Sequence, residues 1–153
     1  MSRKVIVCSN EKCTGCGTCE LICSATKEKS FSPLTSRIRP VRIEPFIDVA
    51  VACRFCEDPH CVASCPRKAL RQNEKTGIIV VDEAKCDACG WCIEACEFGA
   101  ITLHPSKKTV ISCDLCDGKP LCVEFCTRKA LDVFTLDALP TKARKSVVEK
   151  LFT

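Results

Sequence analysis

The apolar positions of this chain come in short runs separated by turn-forming residues. Lys4 to Val7 is an apolar run of high strand propensity, and Cys8-Ser-Asn-Glu-Lys after it is a turn. Cys19-Glu-Leu-Ile-Cys23 opens a helix expected to reach about Lys29, and Phe31-Ser-Pro33 ends it, because proline disfavours helical geometry in the residue before it. From Arg37 to Glu44 basic and apolar residues alternate, with Ile38 opposite Arg37 and Arg39; after Pro40 the phase slips, so that Val41 and Ile43 are apolar and Arg42 polar. Proline within a strand belongs at an edge or a bulge, which predicts a bent edge strand whose arginines are either a docking surface or a solvated edge. Ile47 to Ala52 is a further strand. Ala69–Gln72 and Ile78–Val81, joined by the turn Asn73–Gly77, predict a hairpin; Ala100–Leu103 and Val110–Ser112, with a turn around Pro105 to Lys108, repeat it. Leu131 to Leu136 is the last strand, closed by Pro140. Thr141 to Phe152 then reads as an amphipathic helix with Ala143, Val147, Val148, Leu151 and Phe152 on one face and Lys142, Arg144, Lys145 and Lys150 on the other. That apolar face either packs on its own body or docks on another subunit.

The longest apolar run, Phe46 to Ala52, is broken by Asp48 and is far short of the roughly 20 residues of a membrane helix. The N-terminus, Met-Ser-Arg-Lys-Val-Ile-Val, carries neither a long apolar segment nor a small-residue cleavage site, so a soluble, cytoplasmic protein is expected. The apolar fraction of 46 % includes 17 cysteines, against one Trp and no Tyr. So many cysteines mean a disulfide scaffold or metal sites, and a reducing compartment disfavours disulfides.

Sixteen of the cysteines fall into four blocks: Cys13, Cys16, Cys19, Cys23; Cys53, Cys56, Cys61, Cys65; Cys86, Cys89, Cys92, Cys96; and Cys113, Cys116, Cys122, Cys126. Paired Cys-x2-Cys units also make zinc sites, but those usually offer two close cysteines and then a long gap, whereas each block here holds four within 11 to 14 residues. In Cys86-x2-Cys89-x2-Cys92-x3-Cys96 three thiols can wrap one iron–sulfur cube, and the fourth, one helical turn on, reaches a different cube in two-cluster ferredoxins. Sixteen ligands at four per cube predict four [4Fe-4S] clusters. Such clusters replace much of an ordinary core, and the metal-free chain is expected to be largely unfolded. They also change the charge: at about −2 each they turn the formal +4 into about −4, which removes the case for a nucleic-acid partner.

Smaller features bear on the same sites. Gly15 and Gly17 flank Cys16, where the backbone must come close to sulfide. After the fourth cysteine, three blocks repeat a small residue four places on: Cys65-Pro-Arg-Lys-Ala69-Leu70, Cys96-Glu-Phe-Gly-Ala100-Ile101 and Cys126-Thr-Arg-Lys-Ala130-Leu131; the first block, Cys23-Ser-Ala-Thr-Lys-Glu, departs and continues as helix. Cys8 is the thiol left over, either a small buried strand residue or a redox or ligand group. Trp91, between Cys89 and Cys92, is expected to shield the third cube from water. His60 and His104 are the only histidines, and no nucleophile–base set, phosphate loop or open metal site can be argued, so no catalytic residue is expected.

If each block lends its fourth cysteine to a neighbour, pairing sets topology. The second and third blocks are joined by a short hairpin with strand candidates on either side, Ile47–Ala52 and Ala100–Leu103, the layout of a two-cluster ferredoxin. The first and fourth blocks must then pair, their outer strands Lys4–Val7 and Leu131–Leu136 meeting in the same way. The expected ligand sets are Cys13, Cys16, Cys19 with Cys126; Cys53, Cys56, Cys61 with Cys96; Cys86, Cys89, Cys92 with Cys65; and Cys113, Cys116, Cys122 with Cys23. The fold class is α+β, two interleaved bacterial-type two-cluster ferredoxin lobes: residues 1–35 with 104–139, residues 36–103 inserted between them, and a C-terminal helix over 140–153.

These blocks, with the longer gaps Cys56-x4-Cys61 and Cys116-x5-Cys122 and the segment Cys113-Asp-Leu-Cys-Asp-Gly-Lys-Pro-Leu-Cys122, resemble the four-cluster ferredoxin-like electron-transfer subunits that accompany molybdenum or tungsten pterin enzymes, carbon monoxide dehydrogenases and hydrogenases. The resemblance covers about residues 4 to 135, and the family's pairing of first with fourth and second with third blocks agrees with the one above. It departs from membrane-bound relatives in having no C-terminal membrane helix, and from most copies in having proline after only one fourth cysteine. It implies a non-catalytic subunit relaying single electrons between a catalytic subunit, best a tungsten or molybdenum aldehyde-oxidoreductase type, and a ferredoxin or flavoprotein acceptor. The alternative is a free polyferredoxin that shuttles between enzymes.

Overall fold

The structure, a computed structural model, describes residues 3–151, and within the last helix not the side chains at 142, 143, 146 and 149–151. In chain order it contains β1 (Lys4–Cys8), α1 (Thr18–Glu28), a 3-10 turn (Pro33–Thr35), β2 (Ile38–Ile43), β3 (Ile47–Ala52), α2 (His60–Ala63), β4 (Leu70–Gln72), β5 (Ile79–Val81), α3 (Trp91–Glu94), β6 (Thr102–Leu103), β7 (Val110–Ile111), a 3-10 segment (Leu115–Gly118), α4 (Leu121–Glu124), β8 (Leu131–Thr135) and α5 (Leu139–Leu151). The strands form four antiparallel pairs, β1–β8, β2–β3, β4–β5 and β6–β7. This is an α+β fold of short elements; the cysteine blocks fill the turns between them.

The ends of the chain close on each other, Val5 lying opposite Phe134 and Cys8 opposite Leu131. The expected counterpart, pairing of Ile47–Ala52 with Ala100–Leu103, does not form: β3 takes β2 as its partner in a six-residue register, and β6 pairs with β7. The hairpin partner is adjacent in sequence, so little loop entropy is lost in reaching it. The phase change at Pro40 is not absorbed by a bulge either. Register continues with Pro40 opposite Ala50, so Ile38, Pro40 and Arg42 share one face and Val41 and Ile43 emerge on the other. Ile38 is buried, whereas Val41, Ile43, Ile47 and Phe46 are exposed, Phe46 at 90 %.

The arginines of this stretch are held by local partners, Arg42 while still exposed on the strand. Arg37 pairs with Glu28, Arg42 with Asp48, and Arg39 donates to the carbonyl of Leu34. In α5 Pro140 stands in the first turn, where its missing N–H costs nothing, rather than closing β8. Val147 and Val148 are more than half exposed, so at these positions the helix does not pack on its own body. Ala143, Leu151 and Phe152, assigned to the same face, lie outside the described side chains.

The apolar core is thin and runs between the cysteine blocks, with Val5, Ile38, Phe55 and Ile101 fully buried. The repeated pairs Ala69–Leu70, Ala100–Ile101 and Ala130–Leu131 are buried in all three copies. Arg3 ties the N-terminus to the second block, donating to the carbonyls of Phe55 (3.2 Å) and Cys56 (2.7 Å). Gly77 leaves room for this tie: a Cβ there would lie 2.8 Å from Arg3 Cδ and 3.0 Å from Phe55 Cβ. Phe55→Ala should therefore lower stability by about 3–5 kcal/mol, whereas exposed Phe46→Ala should stay within about 0.5 kcal/mol. Denaturant unfolding of the anaerobic, iron-loaded protein measures both, and equal losses would contradict the assigned core.

Candidate metal centres

Each cysteine block begins with the same backbone device. Two residues after the first cysteine the chain adopts positive φ in all four copies: Gly15 (62°), Phe55 (51°), Ala88 (59°) and Leu115 (56°). An L-residue in this region costs on the order of 1–3 kcal/mol, a strain that persists only where the surroundings impose it. The third cysteine then sits in or at the start of a helix, Cys19 in α1 and Cys61, Cys92 and Cys122 each as second residue of a four-residue helix. The last three are buried.

The fold brings cysteines from distant blocks together. Cys13, Cys16, Cys19 and Cys126 line one apolar cavity, and Cys23, Cys113, Cys116 and Cys122 line a second. Cys61 feels the charge of Cys53, Cys56 and Cys96, and Cys92 that of Cys65, Cys86 and Cys89. The first two groups share α1, on which Cys19 and Cys23 both lie, and Cys122 of α4 neighbours Cys19. Cys113 in turn neighbours Cys53, linking the second group to the third. At the two ends of this succession stand exposed Cys16 and Cys89.

Burial disfavours the charged thiolate and pushes the Cys19, Cys61 and Cys113 thiols up to about 12 and Cys92 to about 11, with Cys122 shifted the same way. Neighbouring cysteines add to the shift of each. Sulfurs in such surroundings are neutral at pH 7 unless a metal takes the place of their protons. Cys16 is the contrast, its thiol lowered by the Thr18 hydroxyl. Among the described residues no three His, Cys, Asp or Glu side chains converge closely enough for a single metal ion. A tetrahedron of sulfurs around one zinc has Zn–S near 2.3 Å, whereas a cube spaces its four ligands more widely, and four cysteines around an apolar cavity fit the latter.

Amides complete the donor pattern. In three blocks the alanine four places after the fourth cysteine donates its N–H to that sulfur: Ala69 to Cys65 (3.3 Å), Ala100 to Cys96 (3.4 Å) and Ala130 to Cys126 (3.3 Å). The preceding residues, Lys68, Gly99 and Lys129, have φ of 50°, 59° and 49°, which turns the alanine amide back toward the sulfur. The repeated alanine was visible in the sequence; its use as a sulfur-directed donor was not. In the first block α1 runs on, and the donor to Cys23 is instead the amide of Arg37, at 3.3 Å. No local signal marks this one.

Trp91 opens α3 directly after Gly90 (φ 86°) and is 66 % exposed, lining a surface cavity together with Cys89 while Cys92 next to it is buried. Cys8 is half-buried beside Cys13 and Cys126, takes the Ala50 N–H at 3.2 Å, and is raised to about 11 mainly by burial. His60 lies on the surface near Glu97 (3.3 Å), and buried His104 accepts the amides of Ser106 and Lys107 on Nδ1. Asp114 accepts the Cys116 amide and pairs with Lys27; burial alone would raise it, and these partners more than offset that, holding it below the usual carboxylate range.

Known proteins share this architecture. Residues 46–135 match the family model described as a 4Fe-4S dicluster domain. The chain is 41 % identical over 131 residues to the polyferredoxin-like subunit of the aliphatic sulfonate oxidoreductase of Pyrococcus furiosus, covering 86 % of this chain and 76 % of that one. It is 34 % identical over 157 residues to one of the component polypeptides of the anaerobic dimethyl sulfoxide reductase of Escherichia coli, covering 87 % of this chain and 74 % of that polypeptide. A solved structure of the BamBC active-site complex of benzoyl coenzyme A reductase superposes with a TM-score of 0.52 at 29 % identity, over 88 % of this chain and 78 % of that one. Among the described residues no helix is long and apolar enough to cross a membrane. The shared residues, the fold and the cysteine pattern together mean that this chain belongs to the 4Fe-4S dicluster family of iron–sulfur electron-transfer subunits, which serve oxidoreductase complexes without catalysing the reaction themselves.

Proposed function

We propose that the chain holds four [4Fe-4S] clusters and relays single electrons between a catalytic oxidoreductase subunit and a ferredoxin or flavoprotein acceptor. The observation that carries this reading is the succession of four cysteine groups from exposed Cys16 to exposed Cys89. The ligand sets are Cys13, Cys16, Cys19 and Cys126; Cys23, Cys113, Cys116 and Cys122; Cys53, Cys56, Cys61 and Cys96; and Cys65, Cys86, Cys89 and Cys92. Each cluster, when bound, accepts and passes on one electron. The protein's own part is to hold the sulfurs, keep water from the inner pair and keep neighbouring sites one helical turn apart, about 6 Å along the axis. The inner sites meet at Cys53 and Cys113, both buried, so the order of transfer is from the Cys16 end through the Cys113 and Cys53 groups to the Cys89 end, or the reverse. The corresponding lobes are residues 1–35 with 104–139, and residues 36–103.

The subunit reading, rather than a free carrier, is supported by the β2–β3 hairpin. Val41, Ile43, Phe46 and Ile47 are all exposed on it, and contiguous exposed apolar side chains of this kind mark interaction surfaces. Its other face is fastened to the first block: Arg42 pairs with Asp48 and reaches the Thr14 carbonyl, so a partner seated on the hairpin lies near the Cys16 end. A tungsten or molybdenum enzyme of aldehyde-oxidoreductase type is our proposed catalytic partner. The relatives named as parts of a sulfonate oxidoreductase and a dimethyl sulfoxide reductase support an oxidoreductase partner in general.

Anaerobically purified protein should carry about sixteen irons, four per cluster. Cys126→Ala should alter one cluster signal in electron paramagnetic resonance, the same signal that Cys16→Ala alters. Signals shared instead between Cys126→Ala and Cys56→Ala would overturn the ligand sets. The double variant Ile43→Ser with Phe46→Ser should keep its iron but elute as a monomer, freed from the native complex. Unchanged co-elution with the catalytic subunit would remove the hairpin as the interface, and a native monomer would favour the free carrier.

A further inference from the structure

Arg37 lines the cavity formed by Cys23, Cys113, Cys116 and Cys122. Its amide donates to Cys23 Sγ at 3.3 Å, while its Nη1 is buried without a hydrogen-bond partner among the described residues. A buried guanidinium nitrogen left unpaired is expensive enough to require an explanation. The rest of the residue is fastened. Its Nη2 donates to Glu28 Oε1 at 3.0 Å, with both side chains only 16 % exposed. On either side of its peptide unit Ser36, fully buried, bridges to Ile38: Ser36 Oγ donates to the Ile38 carbonyl (2.6 Å) and accepts the Ile38 amide (3.2 Å). Glu28 is itself held by Lys107 at 3.2 Å and lies 3.5 Å from buried His104 Nε2. With Asp114 of the same cavity paired with Lys27, three cations (Arg37, Lys107 and Lys27) meet two carboxylates (Glu28 and Asp114), which leaves this network positive.

We infer that Arg37 is a positioning residue that raises the reduction potential of the cluster held by Cys23, Cys113, Cys116 and Cys122, with Nη1 donating toward its sulfur atoms. The inference rests on the ligand sets proposed above. Reduction adds negative charge to the cube, and hydrogen bonds to its sulfurs together with a nearby cation stabilise that form. The other three groups receive their amide donor from a local alanine, and Arg128, which lines the cavity of the first group, is exposed to solvent. The site with Arg37 is one of the inner pair, where a raised potential makes an electron store between the two ends.

Redox titration of the anaerobic protein followed by electron paramagnetic resonance tests this. In Arg37→Ala one couple should move toward the oxidised form by about tenfold in its equilibrium, ~59 mV for one electron. It should be the couple whose signal Cys23→Ser alters, with the other three unmoved. Arg37→Lys should restore part of the shift and Arg37→Gln less. If Arg37→Ala loses iron, the Lys and Gln variants decide, and equal potentials in those two would overturn the inference. Four unmoved couples in an iron-replete Arg37→Ala, with Cys23→Ser still altering one, would sink the role of Arg37 alone. Cys23→Ser and Cys113→Ser altering different couples would instead sink the ligand sets beneath it.

Discussion

Everything in this fold answers to the burial of cysteine sulfur. Cys23, Cys53, Cys61, Cys92, Cys113 and Cys122 lie in the interior, where an isolated thiolate is disfavoured and a neutral thiol contributes little. In the proposed ligand sets, bonds from these sulfurs to iron would replace the aromatic and aliphatic packing that a chain with one Trp and no Tyr lacks. The β-pairs are two to six residues long and join only in twos, so they depend on what lies between them for cohesion. In small metal domains of this kind binding energy is folding energy, which is the ground for expecting the metal-free chain to be largely unfolded.

A second consequence is backbone strain that recurs at fixed points. Phe55, Ala88 and Leu115 occupy left-handed geometry at the position where the first block uses Gly15, and Lys68 and Lys129 do so where the third block uses Gly99. Repetition at equivalent points of blocks with different side chains shows that the site geometry, not the local sequence, imposes the conformation. The turns let amides face sulfur: a fourth cysteine is met by its own alanine in three blocks and by Arg37 in the first. Because α1 commits its amides to helical bonds, a donor for Cys23 had to come from elsewhere in the chain.

Charge follows the same geometry. Arg37 and Arg42 between the first and second blocks are paired with carboxylates, and the exposed face of the β2–β3 hairpin is apolar. Exposed Trp91 and Cys89 mark the far end, exposed Cys16 and the hairpin the near end. The proposed relay, with two different ends, would suit a subunit that meets a catalytic partner on one side and an acceptor on the other, and permanent interfaces are the more apolar kind.

Cysteine spacing determined the cofactor class, because the reach from one sulfur to the next is set over a few residues; the strand and helix patterns gave the α+β character, and the resemblance of the blocks to known subunits gave the family. The alanine repeat and the hairpin strands were legible for the same reason, each being local. Tertiary structure alone decided that β3 pairs with β2, a nearer partner than β6. It also decided that Trp91 faces solvent, that Val41 and Ile43 emerge from a strand without a bulge, and that Arg37 supplies the donor to Cys23 from fourteen residues away. A periodic pattern specifies a face, but which face meets the body, and which distant amide meets a buried sulfur, depends on how the blocks close on one another.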